Sequence, residues 1–145
     1  MPYEEQELLQ YIHTSTEHIS LSVTRDLSSD TFYGDEENIK RAVLNILSNA
    51  VEHSASFDTI SLHISNTESR KLTFTVTDCG SGFSTMGLKN ATVEFFTEKA
   101  ERSGKHYGLG LYIARKVAEE HHGTLTIENK KSGHGAIVSL ILNSV

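Results

Sequence analysis

The sequence predicts an α+β domain, a two-layer sandwich in which helices pack on one face of a mixed, mainly antiparallel sheet. Several short segments alternate apolar and polar residues, which is the pattern of strands that are buried on one face. Longer segments instead repeat apolar residues at helical spacing. Strands and helices do not alternate regularly, so a parallel βαβ fold is disfavoured. The length of 145 residues suits one domain with a proper core.

Alternating apolar residues mark the predicted strands. They lie at residues 19–23, 60–64, 72–76, 125–127 and 137–142. Polar residues 66–69 are expected to join the second and third strands as an antiparallel hairpin. Residues 132–135 are expected to join the last two strands in the same way.

A long helix is predicted to begin after Asp35, which is a good N-cap residue. Glu36 and Glu37 stand in the first turn, where the helix dipole favours negative charge. The helix is expected to end near Ser54. Its apolar residues share one face, and they are Ile39, Val43, Ile46, Leu47, Ala50 and Val51.

Two further helices are predicted. A short one covers residues 4–16. A later one begins at Leu109 and ends at Gly123, with His121 and His122 placed where positive charge favours a helix C-terminus.

The segment from Gly82 to Tyr107 shows no clean period. A connection of about 25 residues is too long for a passive loop in a compact domain. We therefore expect a lid at about 83–107 within a single domain that covers 1–145.

The composition fits a soluble globular protein, with 37% hydrophobic and 22% charged residues. No apolar run approaches the roughly 18 residues of a membrane span, and no signal peptide is visible. A single cysteine, Cys79, excludes an internal disulfide and suits a reducing cytoplasm.

The net charge is −6 without a basic cluster, which argues against nucleic acid as a partner. CxxC, HExxH and GxSxG are absent, which argues against a zinc site or a serine hydrolase.

A polar stripe follows the long helix. Asn45, Asn49, Glu52 and His53 share one face, at spacings of four, three and one. Asparagine is a poor helix former, so two carboxamides one turn apart are unusual. From this stretch alone, a solvated polar face remains the simpler interpretation.

Three further motifs change that interpretation. Asp78, Gly80 and Gly82 form DxGxGF, a phenylalanine pair stands at 95–96, and GLGL covers 108–111 at the start of a predicted helix. An asparagine-rich helix followed by these three motifs resembles the ATP-binding domain of sensor histidine kinases. That domain belongs to a superfamily shared with gyrase, a heat-shock chaperone and mismatch-repair ATPases. The resemblance covers about Ile19 to Leu142.

The resemblance implies an adenine contact at Asp78, whose carboxylate can accept from the exocyclic amine. Guanine offers an acceptor there, so ATP would be selected over GTP. Gly80 and Gly82 would let the backbone approach the base, although a turn would use glycines equally well. His53 matches the position that lies against adenine, or it is an ordinary surface histidine. Ala136 stands where the family often has threonine, so a hydroxyl that helps to hold the aspartate is missing.

Asn45 and Asn49 match the two asparagines that approach Mg²⁺ and the phosphates, and Mg²⁺ prefers oxygen ligands. In water-hydrolysing relatives the position of Asn45 holds a glutamate. An amide cannot act as that general base, so this chain would hold ATP for another nucleophile. Glu52 departs from the lysine that many histidine kinases have there.

The glycines of GLGL stand where free backbone N–H groups at a helix start can bind phosphate. His106 replaces the usual first glycine. Lys105 is expected to contact phosphate and to be catalytic with Asn45. The expected nucleotide-binding residues in this part of the chain are Phe95, Lys105, Tyr107, Gly108, Leu109, Gly110 and Leu111.

The resemblance therefore implies the ATP-binding catalytic domain of a two-component sensor histidine kinase, with ATP and Mg²⁺ as cofactors. It would phosphorylate a histidine on a separate dimerisation domain, with a response regulator downstream. None of the eight histidines stands in an acceptor motif, so the chain is expected to be a monomeric cytoplasmic piece of a membrane-bound kinase. A serine kinase, a water-hydrolysing ATPase and a non-catalytic nucleotide-sensing module remain alternatives.

Overall fold

A computed structural model describes residues 19–27, 32, 34–54, 58–66, 70–80, 82, 110–131 and 133–143. In chain order the elements are β1 (Ser20–Asp26), α1 (Glu36–His53), β2 (Thr59–Ser65), β3 (Lys71–Thr77), α2 (Gly110–Glu120), β4 (Thr124–Asn129) and β5 (Ala136–Asn143). The predicted helix at 4–16 and the predicted lid at 83–107 lie outside these residues.

The strands form one sheet in the order β1-β2-β3-β5-β4. β1 pairs with β2 in parallel, and the other three pairs are antiparallel. Both predicted hairpins are present, as β2–β3 and β4–β5. The predicted mixed, mainly antiparallel sheet is confirmed.

One hydrophobic core joins the sheet to α1 and α2. Every second residue of the central strands is buried on the helix side, which explains why alternation predicted those strands so well. The buried apolar residues of the helices are Ile39, Ala42, Val43, Ile46, Leu47, Ala50, Leu111, Ala114, Val117 and Ala118. Val51, which the sequence also placed on this face, packs at its edge. The two-layer sandwich is confirmed.

α1 has the ends that the sequence predicts. Oδ1 of Asp35 accepts from the N–H of Asn38 at 3.1 Å, and Oδ2 accepts from Nδ2 of Asn38 at 3.0 Å. At the other end the N–H of Ser54 donates to the carbonyl of Val51 at 3.2 Å. An N-cap side chain of this kind stabilises a helix by about 1 kcal/mol.

α2 ends in a Schellman motif, and here the physical reason differs from the expected one. The N–H of Gly123 donates to the carbonyl of Ala118 at 2.7 Å, while His122 adopts the left-handed conformation with φ 56°. A Cβ on Gly123 would lie 1.8 Å from the carbonyl oxygen of Ile141. Glycine is therefore needed at 123 because β5 passes so close.

Candidate functional site

Asp78 follows β3 and is buried, with only 2% of its surface exposed. Its Oδ1 accepts from the N–H of Gly80 at 2.9 Å and from the N–H of Ala136 at 3.1 Å. No hydrogen bond to Oδ2 occurs among the described residues. Two backbone donors thus orient the carboxylate and leave its second oxygen able to accept from a ligand.

Gly135 makes that arrangement possible. Its φ is +134°, and a Cβ there would lie 2.0 Å from the carbonyl oxygen of Asp78. Only a residue without a side chain lets the start of β5 approach Asp78 this closely. Alanine at 136 lacks the hydroxyl that the family resemblance led us to expect there, but its backbone N–H donates to Asp78 instead. In the sequence, the feature that could have indicated this close approach is Gly135, the glycine before Ala136.

The hairpin between β4 and β5 also supports the residues that follow Asp78. Nζ of Lys130 donates to Sγ of Cys79 at 3.6 Å. Gly82 has φ +78°, and a Cβ on it would lie 2.8 Å from Oδ1 of Asn129. The end of β4 therefore packs directly against the glycine-containing segment 78–82.

Asn45 and Asn49 lie one turn apart on α1, and both are partly buried. Nδ2 of Asn45 is buried and has no hydrogen-bond partner among the described residues. A buried amide nitrogen without a partner costs about 1–3 kcal/mol. An unsatisfied amide in a helix that is otherwise well packed marks a place where a ligand can complete the site.

α2 begins at Gly110, the last glycine of GLGL. Leu111 is buried in the core, which anchors this first turn to the sheet. The helix therefore starts where the sequence placed a phosphate-binding N-terminus.

The ligand-binding roles of all the predicted site residues remain predictions, and several of these residues lie outside the described part of the chain. His53 is the last residue of α1, and its side chain lies outside the description. Phe95, Lys105, Tyr107, Gly108 and Leu109 also fall outside the described residues. Their roles remain predictions.

His121 is a residue whose contacts the sequence did not reveal. It was predicted to suit the C-terminus of its helix, and it does lie there. It is only 4% exposed, and both ring nitrogens make hydrogen bonds. Nε2 lies 2.9 Å from the N–H of Asp35, and Nδ1 lies 2.8 Å from the carbonyl of Val117. Since the first partner only donates and the second only accepts, Nε2 is the acceptor and Nδ1 the donor.

The sequence matches the family described as histidine kinase-, DNA gyrase B- and HSP90-like ATPases over residues 34–144. The chain belongs to this family. The match takes in Asn45, Asn49, Asp78 and the GLGL segment together, so the predicted resemblance is confirmed. The family assignment also confirms an ATP-binding domain.

Similar proteins within the family include a sensor protein and a sensor histidine kinase. The nisin biosynthesis sensor protein NisK of Lactococcus lactis is 36% identical over 126 residues, covering 86% of this chain and 28% of that protein. The sensor histidine kinase SpaK of Bacillus subtilis is 42% identical over 100 residues, covering 68% and 22%. These likenesses confirm the prediction of a histidine-kinase ATP-binding catalytic domain. The chain spans about a quarter of the length of these relatives.

Solved structures share the fold. A mycobacterial sensor histidine kinase, MprB, superposes with a TM-score of 0.80 at 23% identity, over 96% of this chain and 92% of that one. Full-length ShkA in complex with AMPPNP gives 0.77 at 20% identity, over 100% of this chain and 31% of that one. Within the described part of the chain, neither helix has the length and apolar character needed to cross a bilayer.

Proposed function

We propose that this chain binds ATP with Mg²⁺ and presents the γ-phosphate to a histidine on a separate dimerisation domain of the same kinase. The observation that carries the proposal is the carboxylate of Asp78. It is buried and held at Oδ1 by two backbone N–H groups, with Oδ2 left to accept from a base.

Asp78 would recognise adenine through its exocyclic amine. Guanine places a carbonyl at that position, and two acceptors facing each other in a buried site cost about 1–3 kcal/mol. ATP is therefore preferred to GTP. The N–H of Gly80 donates to the same carboxylate. Gly80 and Gly82 would leave room for the base, and His53 is our candidate for a ring that lies against it.

Asn45 and Asn49 are the residues that would hold Mg²⁺. The ion takes oxygen ligands, keeps several waters and needs few protein groups. The described residues contain no group of three or more His, Cys, Asp or Glu side chains able to bind a metal. The amide oxygens of Asn45 and Asn49 are of the ligand type that the ion prefers. When bound, Mg²⁺ neutralises charge on the phosphate oxygens.

The first turn of α2 would bind the phosphates. Backbone N–H groups are unpaired at a helix start, and the helix dipole is positive there. Gly110 and Leu111 open the helix, and the predicted residues Phe95, Lys105, Tyr107, Gly108 and Leu109 precede it. Lys105 is our candidate for a side chain that contacts phosphate during transfer.

Asn45 also favours transfer over hydrolysis. A side-chain amide cannot take a proton from water at neutral pH. Phosphoryl transfer depends mainly on positioning and charge stabilisation, which this set of residues provides without a base of its own.

The remaining parts of the reaction lie on other domains. The acceptor histidine would be on the dimerisation domain, and a response regulator would take the phosphate next. The similar protein SpaK is a sensor histidine kinase, which supports this arrangement. We place the domain in the cytoplasm, where ATP is available, and expect it to be monomeric when separated.

Binding and transfer test the proposal together. Calorimetry should show tighter binding of ATP than of GTP, strengthened by Mg²⁺. Labelled γ-phosphate should then reach the histidine of the cognate dimerisation domain. Binding without transfer would instead favour a nucleotide-sensing module, and transfer to serine would favour a serine kinase.

A further inference from the structure

We infer that His121 is a positioning residue for the phosphates of ATP. Its imidazole ties the N-terminus of α1 to the C-terminus of α2, and this contact sets how the two helices are offset along each other. The inference rests on the proposed function, since α1 carries Asn45 and Asn49 and α2 supplies the N–H groups of its first turn.

The ring is held from both helices at once. Nδ1–H donates to the carbonyl of Val117, in the last full turn of α2, and Nε2 accepts from the N–H of Asp35, the N-cap of α1. The backbone carbonyl of His121 accepts from the N–H of Asn143 at 3.0 Å, which fixes the same residue to β5. Since the ring is buried, water does not replace either contact.

The segment before α1 packs tightly on this ring. A Cβ added to Gly34 would lie 3.0 Å from Cδ2 of His121 and 2.9 Å from Cε1 of Phe32. It would also lie 3.0 Å from Cδ1 of Ile39 in the first turn of α1. There is thus no free space around Gly34 for a side chain. Because a close-packed interior resists small shifts, we expect a displacement of the His121 ring to move the start of α1.

The hydrogen bond between His121 and Asp35, called the tie below, lies far from the proposed phosphate site. It nevertheless sets the relative positions of the two helices that form that site. α1 and α2 pack on each other, and the start of α1 meets the end of α2, so the helices run in opposite directions. At about 1.5 Å per residue, Asn45 is roughly 15 Å along α1 from Asp35, and Gly110 is roughly 16 Å along α2 from His121. The amide of Asn45 and the first turn of α2 are therefore at about the same distance from the tie, measured along the helix axes.

This offset is what a bound triphosphate requires. The Asn45 amide must face the metal while the N–H groups of α2 face the phosphate oxygens. A shift of one helix along the other by about 1 Å is enough to cost an active site severely. In the proposed site adenine is bound elsewhere, by the residues after β3, and no hydrogen bond joins Asp78 to His121 among the described residues. Loss of the tie should thus weaken phosphate binding and spare the base.

A pair of variants separates this role from a local structural one. His121→Asn places an amide near Nδ1, where it can still donate to Val117, but it is too short to reach Asp35. His121→Gln extends an amide oxygen to the position of Nε2, where it can accept from Asp35. His122→Asn is the control, because this exposed neighbour has left-handed φ, which asparagine tolerates.

The measurements are affinities of the 145-residue chain for Mg-ATP by calorimetry and for adenosine by NMR titration, with thermal unfolding of each variant. His121→Asn should lose about tenfold in Mg-ATP affinity, as expected for one buried hydrogen bond, with adenosine affinity within twofold of the parent. His121→Gln should recover most of the loss, and His122→Asn should match the parent.

Equal losses in both His121 variants, or parallel losses for Mg-ATP and adenosine, would overturn the inference in favour of a purely structural histidine. If His121→Asn does not fold, Gly34→Ala displaces the ring more gently and should lower affinity for Mg-ATP alone; unchanged Mg-ATP affinity there would equally overturn it. If the parent chain binds adenosine and Mg-ATP equally or not at all, the proposed function itself has failed, which is a distinct result.

Discussion

Both backbone groups of Ala136, its N–H and its carbonyl, form hydrogen bonds with Asp78. The N–H of Ala136 donates to the side-chain Oδ1 of Asp78 at 3.1 Å. The N–H of Asp78 donates to the carbonyl of Ala136 at 3.0 Å. The carboxylate is thus oriented by the sheet itself, at the point where β3 and β5 end their pairing. A hydroxyl at 136 is unnecessary for this, which explains how alanine is accommodated where the family often has threonine.

Replacing Asp78 with asparagine should weaken ATP binding about tenfold to a hundredfold. The amide can turn its NH₂ toward the adenine amine, which sets a donor against a donor and removes a hydrogen bond to a charged acceptor worth about 1.5–3 kcal/mol. Calorimetry on the purified chain measures the change. Glu128→Gln removes the same charge from the exposed side of β4 and is the control. Unchanged affinity in a folded Asp78→Asn variant would remove Asp78 from the site.

Replacing Gly135 with alanine should lower both stability and ATP affinity. The new methyl would lie 2.0 Å from the carbonyl oxygen of Asp78, so β5 must move away and take the N–H of Ala136 with it. Gly133→Ala is a matched control, because Gly133 also has positive φ but has nothing within 4 Å of the added carbon. The control should lose only about 1–2 kcal/mol of unfolding free energy for its backbone conformation. Chemical denaturation and calorimetry compare the two variants, and similar ATP affinities would argue against the proposed role of Gly135.

Much of the fold follows from local patterns, and the tie at His121 does not. Alternation and helical spacing predict β2, β3 and α1 because each buries a regular set of side chains against one core. The partners of His121 stand at 35 and 117, and only packing of α1 on α2 brings them together. Likewise, the sequence alone indicates that Gly135 is a turn residue of the β4–β5 hairpin. Its close approach to Asp78 is evident only in the assembled sheet. Long-range contacts of this kind depend on the assembled sheet, which no local pattern specifies.

Replacing Asn45 with alanine should reduce the Mg²⁺-dependent part of ATP binding and leave stability unchanged or higher. The substitution removes a buried amide nitrogen that lacks a partner and adds a better helix former. Asn49→Ala should weaken the same part of binding. Titrations with and without Mg²⁺, combined with thermal unfolding, separate the two effects. Arg41→Ala, on the exposed side of α1, is the control. A large loss of stability with intact Mg-ATP binding would make the asparagines structural.

The isolated chain should bind ATP yet hydrolyse it very slowly, because the amide of Asn45 cannot act as a general base. It should not phosphorylate itself, since none of its eight histidines stands in an acceptor motif. Mixed with the dimerisation domain of its own kinase, it should transfer labelled phosphate to the histidine there. Asn45→Glu introduces a carboxylate that can activate water but also repels phosphate, so ATP binding must be measured beside its phosphate release. Rapid release of inorganic phosphate by the unmodified chain alone would replace the kinase assignment with that of a true ATPase.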